Sequence, residues 1–133
     1  MNSKKRKVVC INADISFLNR KKKELRQKNL ENYFYPFDKY DDAIDFVENQ
    51  IDKNAKRVHY ILLDEKILGH QLANSLDKLS GLSYYFDKLE VIVITNNNTN
   101  DLRNKIMQYP FVSAFLVKPI PENYIEFLIS GIN

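Results

Sequence analysis

Three apolar runs in this chain end on side chains that can do chemistry. Val58-His59-Tyr60-Ile61-Leu62-Leu63 stops at the carboxylate of Asp64, and Leu89-Glu90-Val91-Ile92-Val93-Ile94 stops at the hydroxyl of Thr95. Phe111-Val112-Ser113-Ala114-Phe115-Leu116-Val117 stops at the ammonium of Lys118, with Pro119 directly after it. A carboxylate can act as a ligand or a nucleophile, a lysine is a compact positive charge, and a threonine offers one hydroxyl donor. A fourth run, Val8-Val9-Cys10-Ile11, ends at Asn12-Ala13-Asp14. In open α/β sheets, ligands and reactive groups collect just beyond the carboxyl ends of the strands. The four run ends are therefore read as converging, with Asp64 at their centre.

The elements that must hold these residues follow from periodicity. Runs apolar on both faces suit a parallel sheet covered by helices. Between them, apolar residues recur at helical spacing: Ile15, Leu18 and Leu25; Tyr40, Ala43, Ile44, Val47 and Ile51; Leu72, Leu76 and Leu79; Leu102, Ile106 and Tyr109. A last helix opens after Lys118-Pro119-Ile120-Pro121, with Tyr124, Ile125, Leu128 and Ile132 inward. Asn32 to Phe37 reads as a second strand, at an edge because Pro36 cannot donate to a ladder. Residues 65–70 read as a loop loosened by Gly69, the third helix closes near Ser80-Gly81, and the asparagines around 96–100 supply caps. Strict alternation predicts an α/β fold, a doubly wound five-stranded parallel sheet in the order 2-1-3-4-5 with helices on both faces. The Lys118–Pro119 bond is expected to be cis.

The bulk numbers agree with one domain over residues 1–133, residues 1–7 forming a basic tail. A chain of 133 residues with 44% hydrophobic and 28% charged residues is globular in composition. No apolar run approaches the roughly 18–20 residues that span a bilayer, so no membrane association is expected, and residues 1–7 do not read as a signal peptide. A single cysteine, Cys10, excludes an internal disulfide and fits a reducing, cytoplasmic setting. The net charge of +3 does not by itself imply nucleic acid, although residues 1–28 are strongly basic. The basic run 20–23 is expected to face largely outward, as a solvated helix surface. His59 and His70 lack carboxylate or cysteine neighbours at ligand spacing and read as a strand and a loop residue.

Leu62-Leu63-Asp64, Ile94-Thr95 and Phe115-Leu116-Val117-Lys118-Pro119, in that order and at those strand ends, resemble the receiver domain of two-component response regulators over nearly the whole chain. The segment from Tyr109 to Pro119 is similar to stand-alone receivers common in Bacteroidetes. The resemblance implies a flavodoxin-like fold, a phosphoacceptor at Asp64, phosphoryl-oxygen contacts from Thr95 and Lys118, and a switch aromatic at Phe115. It implies no enzymatic activity of the chain's own. The implied partners are a histidine kinase or phosphotransfer protein and a downstream protein, met on the face of the fourth helix, fifth strand and fifth helix; homodimer formation is left open and nucleic acid is not expected. A carboxylate attacks an anionic phosphoryl group only when the developing charge is neutralised, which suits Lys118 and Thr95.

The chain departs from the family where Mg²⁺ is held. The acidic-pair positions are Asn12 and Ala13, and only Asp14 after them is acidic. Mg²⁺ favours carboxylate oxygens in octahedral geometry, so metal on Asp64, Asp14 and the Lys66 backbone carbonyl is expected to be weak or absent. Leu68 and Leu72 stand where the family carries proline and glycine, and the Lys66 side chain overhangs the site position. These departures keep open a pseudo-receiver that binds partners without phosphorylation. A phosphohydrolase would want a second aspartate where Lys66 stands, and a flavin protein would want a Ser/Thr/Gly-rich first loop.

Overall fold

The computed structural model describes residues 5–52, 58–86, 88–96 and 99–131. Its elements are β1 (Lys7–Ile11), α1 (Ile15–Gln27), β2 (Phe34–Phe37), α2 (Tyr40–Asp52), β3 (Val58–Asp64), α3 (Leu72–Ser83), β4 (Glu90–Thr95), α4 (Asn100–Met107), β5 (Val112–Val117) and α5 (Tyr124–Ser130). The five strands form one sheet in the order β2-β1-β3-β4-β5, every neighbouring pair parallel. That is the expected topology, and the Lys118–Pro119 peptide is cis.

Successive side chains of a strand point to opposite faces, and the core divides accordingly. Val9, Ile11, Ile61, Leu63, Val91 and Val93 pack on one face against Ile44 and Val47 of α2, Leu76 and Leu79 of α3, and Ile106 of α4. Val8, Cys10, Leu62, Ile92 and Ile94 pack on the other against Leu18 and Leu25 of α1 and Ile125 and Ile129 of α5. Both faces of the three central strands are thus closed to water, and their ends open onto one edge. Function is left to that edge.

Several local expectations are corrected. Asn32 and Tyr33 belong to a 3-10 turn, Glu31–Tyr33, so β2 is the shorter Phe34–Phe37. Helix α3 continues through Ser80 and Gly81 to Ser83. A helical glycine costs about 1 kcal/mol relative to alanine, less than burial of Leu76 and Leu79 on the sheet contributes. Residues 65–71 are two 3-10 turns, Glu65–Ile67 and Gly69–Gln71, with Gly69 at φ +55° between their directions. Helix α4 is capped by the Thr99 hydroxyl, which accepts from the Leu102 N–H at 3.3 Å; Asn97 and Asn98 lie outside the described residues. Helix α5 begins only at Tyr124, and Ile132 also lies outside the described residues. His59 is a strand residue whose Nδ1 accepts from the Lys7 N–H at 3.1 Å.

The largest correction concerns the basic run. Arg20, Lys22 and Lys23 face solvent, but Lys21 is only 5% exposed. Its ammonium donates to the Glu122 backbone carbonyl at 2.8 Å and pairs with the Glu24 carboxylate at 3.2 Å. A buried lysine needs such partners, because an unpaired ammonium away from water is costly. Lys21 thereby ties α1 to the segment that follows Lys118-Pro119.

Candidate functional site

The site is assembled at the carboxyl edge by strand register. In the ladder Asp64 stands beside Ile94, and Thr95 beside Val117. The Lys118 N–H then donates to the Thr95 carbonyl at 2.8 Å, extending the β4–β5 pairing by one residue. This places the lysine stem over the end of β3. The Lys118 ammonium forms an ion pair with Asp64 Oδ2. Asp64 is 4% exposed, while about a third of the Lys118 side chain reaches solvent. The other carboxylate oxygen, Oδ1, accepts from the Lys66 N–H at 3.0 Å and so caps the Glu65–Ile67 turn.

Thr95 is fully buried, and its hydroxyl donates to Glu65 Oε1 at 2.8 Å. Glu65 directly follows the Asp64 carboxylate, and nothing in its own residue type or spacing marks it for this contact. The available signal was positional: a carboxylate one residue past the end of β3 faces whatever ends β4. Phe115 is buried in the α2–α4 side of the core, with the Arg103 guanidinium of α4 5.8 Å from its ring centroid. The expected residues Asp64, Thr95 and Lys118 are therefore brought to one edge. The Lys66 side chain is exposed, and its link to Asp64 runs through the backbone N–H.

The first-strand end is occupied with local hydrogen bonding. Asn12 Oδ1 accepts from the Asp14 N–H at 2.8 Å, and Asp14 Oδ1 accepts from the Phe17 N–H at 3.1 Å, capping α1. Ala13 is exposed and brings no donor atom. Among the described residues no group of three His, Cys, Asp or Glu side chains is placed to hold a metal ion. A divalent cation needs several oxygen ligands, and here the Asp64 carboxylate meets Lys118, Glu65 meets Thr95 and Asp14 caps a helix. With Asn12 and Ala13 in place of carboxylates, the residues present offer Mg²⁺ a poor ligand set. Leu68 and Leu72, the other departures, are both buried in the core cluster under α3, so the altered loop is held by packing.

Beneath the site lies Cys10. Burial, and then the Asp64 carboxylate, push its thiol up from 9.0 to about 12. Both effects disfavour the thiolate, so Cys10 is a small apolar filler rather than a nucleophile. Beside Lys118 a groove of about 280 Å³ opens between the start of α1 and the segment after β5, with Asn12, Phe17, Lys118 and Ile120 on its walls.

No protein-family profile and no curated protein matches the sequence. Solved structures do match over almost the whole chain. A two-component response regulator from Legionella pneumophila is similar at a TM-score of 0.71 and 18% identity, covering 93% of this chain and 95% of that one. A CheY-like response regulator receiver domain protein from Methanospirillum hungatei JF-1 is similar at 0.68 and 15%, covering 93% and 89%. A response regulator from Burkholderia pseudomallei, solved with a phosphorylated aspartic acid, calcium ion and citrate, is similar at 0.67 and 13%, covering 93% of this chain and 66% of that one. Topology, register and these likenesses agree: the chain has the flavodoxin-like fold of response regulator receiver domains.

Proposed function

We propose that the chain is a single-domain response regulator receiver in phosphorelay signalling, with Asp64 as phosphoacceptor and protein contact as its output. One observation carries the reading: a buried carboxylate at the end of the central strand, paired with Lys118, in a fold shared with receivers. In the transfer, an Asp64 oxygen bonds to phosphorus as the bond from phosphorus to the donor breaks. The electron pair of that bond leaves with the donor, an imidazole nitrogen of a phosphohistidine or the carboxylate of acetyl phosphate. Lys118 passes from the Asp64 carboxylate to the new phosphoryl oxygens, where its charge offsets theirs. Thr95 offers a hydroxyl to the same group, and Phe115 relays the change, a role supported by its packing against Arg103 of α4. The donor is a histidine kinase or phosphotransfer protein, and the output face is that of α4, β5 and α5. The reading gives the chain no further chemistry and, with its single cysteine, a cytoplasmic setting.

Asn12 and Ala13 favour a second reading, a pseudo-receiver that binds partners without being phosphorylated, because the first-strand end brings no carboxylate to the site. Intact-mass measurement after incubation with acetyl phosphate, with and without Mg²⁺, separates the two. Slow addition of one phosphoryl group to the native chain, none to D64N, and faster Mg²⁺-dependent addition to N12D/A13D support the receiver. No addition to either the native chain or N12D/A13D leaves the pseudo-receiver, and undiminished addition to D64N refutes the role of Asp64.

A further inference from the structure

We infer that Glu65 is a built-in competitor for the incoming oxyanion: its carboxylate occupies the Thr95 hydroxyl and must leave before a phosphoryl group on Asp64 can be bound there. The inference rests on the phosphoacceptor reading of Asp64 for its consequence, though not for its geometry. A threonine hydroxyl has one proton to donate. While that proton goes to Glu65 Oε1 at 2.8 Å, it is not available to another oxygen. Thr95 is fully buried and Glu65 partly so, and a hydrogen bond to a charged acceptor is among the stronger ones.

The rest of the site makes the competition sharper. The Lys118 ammonium is held by Asp64 Oδ2, and Asp64 Oδ1 takes the Lys66 N–H. Lys118 and the Thr95 hydroxyl are thus each engaged by one of two adjacent carboxylates, Asp64 and Glu65. Asp64 releases Lys118 when it becomes an acyl phosphate, because its own charge is then replaced by that of the phosphoryl oxygens. Glu65 gains no such compensation. It keeps its charge beside a new dianion, and like charges that close disfavour each other. Release of Glu65 from Thr95 is thus a separate step, which slows phosphorylation and couples the acceptor to the turn Glu65–Ile67. In the unphosphorylated chain the same bond holds Thr95 against that turn.

The test uses the full chain as E65A, E65Q, T95V, E65A/T95V and D64N/E65A, alongside the native protein, each incubated with acetyl phosphate and followed by intact mass. In the step read out, Asp64 attacks phosphorus and acetate departs with the electron pair of the broken bond. E65A is expected to gain on the order of tenfold in rate, the scale of freeing one hydrogen bond to a charged group. E65Q keeps an acceptor for the Thr95 hydroxyl and should gain much less. E65A/T95V should gain nothing over T95V alone, because the hydroxyl that Glu65 occupies is then absent. Equal rates for native and E65A overturn the inference and leave Asp64 as acceptor. A gain in E65Q equal to that in E65A, or one that survives T95V, also overturns it, because charge repulsion alone would then explain the effect. Labelling of D64N/E65A at the E65A rate instead refutes the acceptor. Inorganic phosphate titrated into native and E65A chains, read from amide shifts at Thr95 and Lys118, tests the occupancy without chemistry. Binding about tenfold tighter in E65A is expected, and unchanged binding overturns the inference whatever the labelling shows.

Discussion

Asp64 and Lys118 depend on each other at the level of single side chains. Replacing one partner of a buried pair leaves the other charge without compensation, whereas removing both leaves little to compensate. K118A should therefore lower stability by about 2 kcal/mol, a value reduced for the partial exposure of the lysine. D64N/K118A should recover much of that loss, both read as urea midpoints, and equal losses would show that the pair does not hold this edge together. The three residues Asp64, Thr95 and Lys118 were legible in the sequence because each interrupts an apolar run at its carboxyl end. Glu65 was not, since its contact depends on how far the turn after β3 carries a side chain toward β4. No spacing rule within one strand contains that distance. The same holds for the helix-capping contact of Asp14, whose Oδ1 accepts from the Phe17 N–H.

At the scale of elements, the segment after β5 needs an anchor, since it carries Lys118 and then crosses to α5. Lys21 supplies one by donating to the Glu122 carbonyl from a nearly buried position. K21M should cost about 1–3 kcal/mol, while K22A and K23A on the exposed face should stay within about 0.5 kcal/mol. Denaturant unfolding of the three variants checks this, and equal effects would return Lys21 to the solvated surface. Helical periodicity placed α1 correctly through Leu18 and Leu25. It could not show that a lysine between them finds a carbonyl 101 positions away, because burial of a charged group is decided by its tertiary partner. Likewise Gly81 suggested a helix end by local propensity, and packing of α3 on the sheet overrode it. Propensity yields where burial is at stake.

Across the whole molecule, strict alternation of strands and helices with right-handed crossovers leaves few arrangements, which is why the order β2-β1-β3-β4-β5 is legible in the sequence. The closed core also sets an alkaline limit. Burial raises the Cys10 thiol from 9.0 to about 12, and burial, with a smaller contribution from Asp41, raises the Tyr40 hydroxyl from 10.0 to about 12 against the opposing Ser75 hydrogen bond. Both groups hold their protons to higher pH in the folded chain than in the unfolded one. Their contribution to stability is full below about pH 9 and is lost as pH rises toward 12. Urea midpoints should fall over that window, C10A should remove the earlier part of the fall, and a flat profile would contradict the burial of both groups.

The central claim, that Asp64 accepts a phosphoryl group, is tested most directly by trapping the acyl phosphate. Borohydride reduces an acyl phosphate of aspartate to homoserine and leaves a free carboxylate untouched. After incubation with acetyl phosphate, reduction and peptide mapping should place homoserine at position 64, and more of it in E65A than in the native chain. Homoserine at another acidic position, or none in any variant under conditions that label a known receiver, would contradict it.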